Sequence, residues 1–229
     1  MRRSSLGLVT RALVGLSLLI VVLAAGLFAF AGAMNYWQGW LYLGVFGSCS
    51  AVITAWLIRN DRELLARRVK AGPVAETRRN QKVIQAFAGV LFIGLFVLSG
   101  LDVRLGWTHV PGVVVVFCNV LVALGFVIVF EVFRTNRFTS GTIEVVPEQK
   151  VSEHGPYAVV RHPMYAGGGL LILSTPPALG SWAALPLSLG LLLLLIVRML
   201  DEERVLSANL AGYKEYLLKV RYRLVPFVW

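Results

Sequence analysis

The chain has 229 residues, 57% of them apolar, with 22 Lys and Arg against 12 Asp and Glu and a net charge of +10. A soluble domain carries about 45–50% apolar residues, so this composition, with a mean hydropathy of +0.73, excludes an ordinary soluble fold and points to a membrane protein. The positive charge would suit nucleic acid in a soluble protein; here the basic residues punctuate apolar stretches, so topology and anionic lipid account for them and no nucleic-acid partner is expected.

A helix needs about 20 mostly apolar residues to cross a hydrocarbon core of ~30 Å. The first run, Leu13 to Ala33, follows Arg2 and Arg3 and ends in Ala31-Gly32-Ala33, which has the look of a cleavage site. Its apolar core of about 20 residues exceeds the roughly 7–15 of a signal sequence, so a retained span is expected. A second run covers Trp37 to Ile58. Residues 59 to 82, "RNDRELLARRVKAGPVAETRRNQK", are expected to form a solvated basic loop that fixes orientation. The competing reading is a short interfacial helix carrying Leu64, Leu65 and Val69 and ended by Gly72-Pro73.

Two further runs span Ile84 to Leu101 and Val110 to Phe133. Glu131, about one turn inside the end of the latter, has Arg134 at i+3 as a local partner. Asn119, deeper in the same run, is expected to bond a neighbouring helix. Cys49 and Cys118 lie in separate spans without metal-ligand spacing and read as small core residues, so no metal is expected. Residues 134 to 162 mix β-branched residues with Gly and Pro and show no helical period, which predicts an ordered loop with one or two extended pieces.

The run from Pro163 to Leu200 is too long for one span. Pro176, Pro177 and Gly180 break it, which predicts a hairpin and an all-α, multi-pass bundle of about six transmembrane helices. Pro163 suits the first position of a helix, whose dipole end would face an anionic group beside Arg161 and His162. Gly167, Gly168 and Gly169 allow close approach by another helix or a flat ligand. At the other end of the hairpin, "RMLDEER" places Arg198 and Glu202 on one helical face and sets Asp201, Glu202 and Glu203 in a row at the depth of residues 161 to 165. Leu206, Leu210, Tyr213, Leu217 and Val220 then form one apolar stripe, the mark of a C-terminal amphipathic cytoplasmic helix that lies on lipid or caps the hairpin. With this topology 21 of the 22 basic residues fall on one side and only Arg104 on the other, so both termini are expected in the cytoplasm.

"GPYAVVRHPMYAG", a hairpin, "DEERVL", "GYKEY" and a closing "VRYRLVPFVW", all within residues 155 to 229, resemble the isoprenylcysteine carboxyl methyltransferase family and its relatives among phospholipid N-methyltransferases. The resemblance implies residues 1–133 as four membrane helices with their basic loop and 134–229 as the catalytic region. It implies S-adenosylmethionine as cofactor, held by Gly155, Tyr157, Arg161, His162, Tyr165, Glu202 and Glu203, with Arg198 near the substrate and Glu202 beside the chemistry. The active site would lie at the cytosolic boundary of a bacterial inner membrane or the endoplasmic reticulum.

Methyl transfer from a sulfonium is an in-line displacement that needs positioning and charge complementarity more than an acid or base. The expected partner is a lipophilic acceptor beside membrane lipid. The carboxylate of a prenylated cysteine is the first expectation, since it is ionised at pH 7 and needs no base. Phosphatidylethanolamine and small thiols stay open, and so does a silent membrane scaffold that keeps the hairpin for packing.

Overall fold

Apolar runs of this length can satisfy their backbone within lipid as helices, and the chain is helical in every one of them. The computed structural model describes residues 2–70, 74–143, 145–146 and 148–229. The elements are α1 (Arg2–Ala31), α2 (Trp37–Asn60), α3 (Arg62–Val69), α4 (Arg79–Leu105), α5 (Gly112–Thr135), a 3₁₀ turn (Gly155–Ala158), α6 (Pro163–Ala178), α7 (Leu185–Asn209) and α8 (Tyr213–Lys219). No strand occurs among the described residues. The all-α expectation holds, and the described residues between 136 and 162 form turns, coil and the 3₁₀ turn, with no strand among them.

Four segments, Gly7–Ala31, Trp37–Asn60, Arg79–Leu105 and Gly112–Thr135, are long and apolar enough to cross a membrane. α6 and α7 form the expected antiparallel hairpin, with α6 starting at Pro163 and His162 at its N-cap. α6 has 16 residues, about 24 Å at 1.5 Å per residue, and α7 carries Arg198 and three carboxylates in its second half. The structure therefore has four full-length apolar spans beside the hairpin of α6 and α7.

Small residues decide which helices touch. A Cβ on Gly125 of α5 would lie 2.9 Å from the Gly167 carbonyl, and one on Gly167 of α6 would lie 2.9 Å from the Gly125 carbonyl. The two backbones meet there with no room for a side chain. Asn119 reaches from α5 to the Ala178 carbonyl at 3.1 Å, the interhelical bond its position predicts. At the end of the bundle away from most basic residues, buried Asp102 accepts from the Thr108 amide and hydroxyl and from the Ser181 hydroxyl, which pins the hairpin tip to α4.

The basic end departs most from expectation. Residues 62–69 are helical, and α3 buries Leu64 and Leu65 against Leu57 and Phe133. Asp61 caps it by accepting from the Leu64 amide at 3.0 Å. Arg67 and Arg68 donate to the carbonyls of Arg137 at 2.6 Å and Ser140 at 3.0 Å. This stretch is thus a packed brace for the 136–162 loop, not a solvated one, because two leucines gain more from burial than its charges lose. The expected stop at Gly72-Pro73 lies outside the described residues. Glu131 and Arg134 do pair locally, at 2.9 Å.

The C-terminal stripe is split between two helices. α7 runs on to Asn209, Gly212 turns the chain at φ +80°, and α8 follows. Leu210, Tyr213, Tyr216 and Val220 form a small core with Val145 and Val151 of the loop. The stripe packs on the loop, a role distinct from the lipid contact or hairpin capping that its pattern suggests.

Candidate functional site

Where the hairpin, α4, the loop and α8 converge there is a cavity of about 570 Å³. That volume falls within the range of small-molecule sites. Its apolar part is walled by Ile84 and Ala88 of α4, Leu171 of α6 and Leu191 and Leu195 of α7. Its polar part is walled by Arg68, Tyr157, Tyr165, Arg198, Glu202 and Tyr213. Arg161 and His162 also reach the wall, so six of the eight sequence-predicted site residues line one cavity; Gly155 and Glu203 do not. Residues on both sides of position 133 contribute, so the cavity crosses the boundary expected between anchor and catalytic region.

The three consecutive carboxylates of α7 diverge because successive side chains on a helix point about 100° apart. Asp201 accepts from Arg78 at 2.7 Å and Gln81 at 2.6 Å, tying α7 to the start of α4. Glu202 turns into the cavity, where the Tyr165 hydroxyl donates to it at 2.5 Å. Among the described residues it is the one carboxylate on the cavity wall. Glu203 points away and gathers basic side chains: His162 Nε2 at 3.1 Å, Arg223 at 2.9 Å and Arg161 at 3.7 Å. Burial alone would raise the Glu203 carboxyl, but hydrogen bonds from His162 and Arg223, and their charges, bring it down to about 2.

Arg161 and His162 are committed to holding the C-terminal segment. The Arg161 guanidinium donates to the carbonyls of Val220 at 2.6 Å and Leu217 at 2.9 Å, capping α8. The amides of Arg161 and His162 donate to the carbonyls of Tyr222 and Arg223. The N-terminal approach to α6, expected to offer an anion site, is therefore largely spent on this junction.

Gly155 serves the backbone. Its φ of +57° is in the left-handed region, and a Cβ there would lie 2.8 Å from Thr135 Oγ1. The turn it makes delivers Tyr157, whose hydroxyl accepts from Asn136 at 3.1 Å. Burial raises the Tyr157 hydroxyl, so it stays a donor. The glycines of α6 divide their work: Gly167 meets α5, Gly169 meets Leu192, and Gly168 lies on the cavity wall.

Arg198 and Glu202 share a face as expected, yet each is held by other groups. Arg198 donates to Gln81 at 2.8 Å, to the Gly141 carbonyl at 2.8 Å and to Glu76 at 3.4 Å. Glu76 is 2% exposed and also accepts from Gln85 at 3.1 Å. Glu76, Gln81, Gln85 and Arg68 all precede the stretch in which sequence reasoning located the site. Their signal was faint: one acid in "AETRRNQK", followed by Gln81 and Gln85 one helical turn apart. Tyr213 was missed because it lies on an apolar stripe, where packing explains it. Its hydroxyl is buried with no hydrogen-bond partner in the protein and is part of the cavity wall.

No curated protein matches the chain. Residues 113–211, which run from α5 to the turn after α7 and build one side of the cavity, match the family model for phospholipid methyltransferases.

Proposed function

We propose that the cavity binds S-adenosylmethionine at its polar part and a lipophilic acceptor at its apolar part, and that the favoured reaction is carboxyl methylation of a C-terminal isoprenylcysteine. The observation that carries this reading is the single Glu202 carboxylate facing the same cavity as the leucines of α6 and α7. The cofactor bears an ammonium, a sulfonium and a carboxylate, and a buried cation needs a partner of opposite sign. Glu202 supplies that partner for the ammonium. The unpaired Tyr213 hydroxyl fits the cofactor's carboxylate, since a buried donor without a partner is costly and calls for a ligand acceptor. When bound, the cofactor supplies an electrophilic methyl group on a sulfonium.

The residues themselves orient and desolvate. Tyr165 fixes the Glu202 carboxylate, Asn136 fixes Tyr157, and the loop, braced by α3 and α8, forms part of the cavity wall. His162 Nε2 is engaged by Glu203, and burial raises the hydroxyls of Tyr157 and Tyr213. None of these is poised as a base at neutral pH, which favours an acceptor already ionised, the carboxylate, over an ammonium headgroup or a thiol. The basic end of the bundle is taken as cytosolic, so the site opens to soluble cofactor on that side.

Titrating S-adenosylhomocysteine into the detergent-solubilised protein tests the polar part, and transfer of labelled methyl to a prenylcysteine tests the apolar one. Glu202→Gln is expected to weaken S-adenosylhomocysteine at least tenfold. Tight binding that survives the substitution would remove Glu202 from the site, and a wild type that neither binds nor transfers would leave the scaffold reading.

A further inference from the structure

Arg68 and Arg198 come from different parts of the chain, α3 and α7, and both line the cavity. They are anchored on neighbouring peptide groups: Arg68 Nη1 donates to the Ser140 carbonyl at 3.0 Å, and Arg198 Nη2 to the Gly141 carbonyl at 2.8 Å. Consecutive Cα atoms are about 3.8 Å apart, so two guanidinium groups held by adjacent carbonyls are close neighbours. Two like charges brought together out of water repel, and each also loses hydration. Contacts within the protein offset only part of that cost. Glu76 stands 3.4 Å from Arg198. Arg68 has an aromatic face, Phe133, with its guanidinium carbon 5.2 Å from the ring centroid.

A guanidinium has five N–H donors, and the bond to Ser140 uses one of Arg68's. Burial lowers the Arg68 guanidinium below its ordinary value, and nearby Arg198 lowers it further, against the opposing pull of Tyr165 and Glu202. It is a cation partly stripped of water, at the wall of a cavity whose other end is apolar. Arg68 also lies outside residues 113–211, the segment matched to the family.

We propose that Arg68 and Arg198 form a two-arginine subsite for the anionic group of the acceptor, a carboxylate or a phosphate attached to a long apolar chain. The inference rests on the proposed methyl-transfer reading for its acceptor but not for its test. Two neighbouring guanidinium groups on one cavity wall offer several N–H donors to a two-oxygen anion. The subsite leaves Glu202 for the cofactor's ammonium, so the two ends of the polar wall sort ligands by charge.

The test is equilibrium binding to the detergent-solubilised wild type and to Arg68→Gln and Arg68→Lys, which works whether or not any acceptor turns over. Two probe pairs are used: farnesylthioacetate against its carboxamide, and a long-chain alkyl phosphate against the matching alcohol. The wild type is expected to prefer the anion of at least one pair by tenfold or more. Arg68→Gln should lose most of that preference and Arg68→Lys should keep part of it. Preference in the first pair identifies a carboxylate acceptor and in the second a phosphate headgroup. Thermal unfolding and size-exclusion elution of the same preparations report that the variants fold. No anion preference in the wild type, or an unchanged preference in a folded Arg68→Gln, would overturn the subsite. Failure of the wild type to bind S-adenosylhomocysteine while retaining the anion preference would instead count against the methyl-transfer reading alone.

Discussion

Glu203 shows why two adjacent acids do different work. Its carboxylate joins α7 to the N-cap of α6 through His162 and to the C-terminal segment through Arg223, so its effect on the cavity runs through position. Because its folded carboxyl lies at about 2 against an ordinary 4.5, the ionised form is the one favoured by folding. Its contribution is present in full above pH 4.5 and is lost as pH falls towards 2. Glu203→Gln is therefore expected to lower stability at pH 7 by roughly 1–3 kcal/mol, the scale of hydrogen bonds to a charged group. The gap between wild type and variant should close as pH falls through that window. Thermal unfolding in detergent at pH 7, 4 and 3 measures it, and a gap that does not narrow would show that the cluster is not held by charge. At this scale the sequence was informative about which residues meet but not about which way they face. "RHPMY" and "RMLDEE" do converge, yet whether an acid faces a cavity or a cation cluster depends on helix rotation, which the hairpin's packing sets.

Helix rotation is in turn set by where backbones touch. α5 and α6 meet at Gly125 and Gly167, where each glycine's missing Cβ is replaced by the other's carbonyl. This contact positions the face of α6 that carries Tyr165 and Gly168, and with it one wall of the cavity. Gly125→Ala would set a methyl 2.7 Å from Leu171 Cγ and 2.9 Å from the Gly167 carbonyl. Relief requires the helices to part, at a cost of about 1–3 kcal/mol by analogy with overpacked cores. The expected outcome is a lower melting temperature together with weaker S-adenosylhomocysteine binding, whereas Gly7→Ala, where nothing lies within 4 Å of the added Cβ, should change neither. Equal behaviour of the two variants would remove the crossing from the argument. The long helices, the start of α6 at Pro163 and the hairpin break were legible because apolar length and Pro chemistry are local. α3 was misread because the burial of Leu64 and Leu65 depends on Leu57 and Phe133, partners that charge content alone does not reveal.

Across the whole molecule, the basic end is also the working end. The cavity, the braced loop, α3 and α8 all gather there, and the opposite end is closed by Asp102, Thr108 and Ser181. The helix order alternates direction, so α1 starts and α7 ends on the same side, and 21 of 22 Lys and Arg fall on that side. Positive charge is retained on the cytosolic side of a membrane, so the proposed function expects the cavity to face the compartment that supplies a soluble methyl donor. Cysteine labelling tests this directly in a background with Cys49 and Cys118 replaced by Ala. Ser181 is a poor reporter although it marks the hairpin tip, because it is fully buried. Trp107, 55% exposed at the far end, and Val74, 97% exposed at the basic end, are accessible positions. In intact cells a membrane-impermeant maleimide should label Trp107→Cys and spare Val74→Cys, and permeabilisation should make both react. Labelling of Val74→Cys alone in intact cells would invert the molecule and put the cavity on the side where its proposed donor is absent.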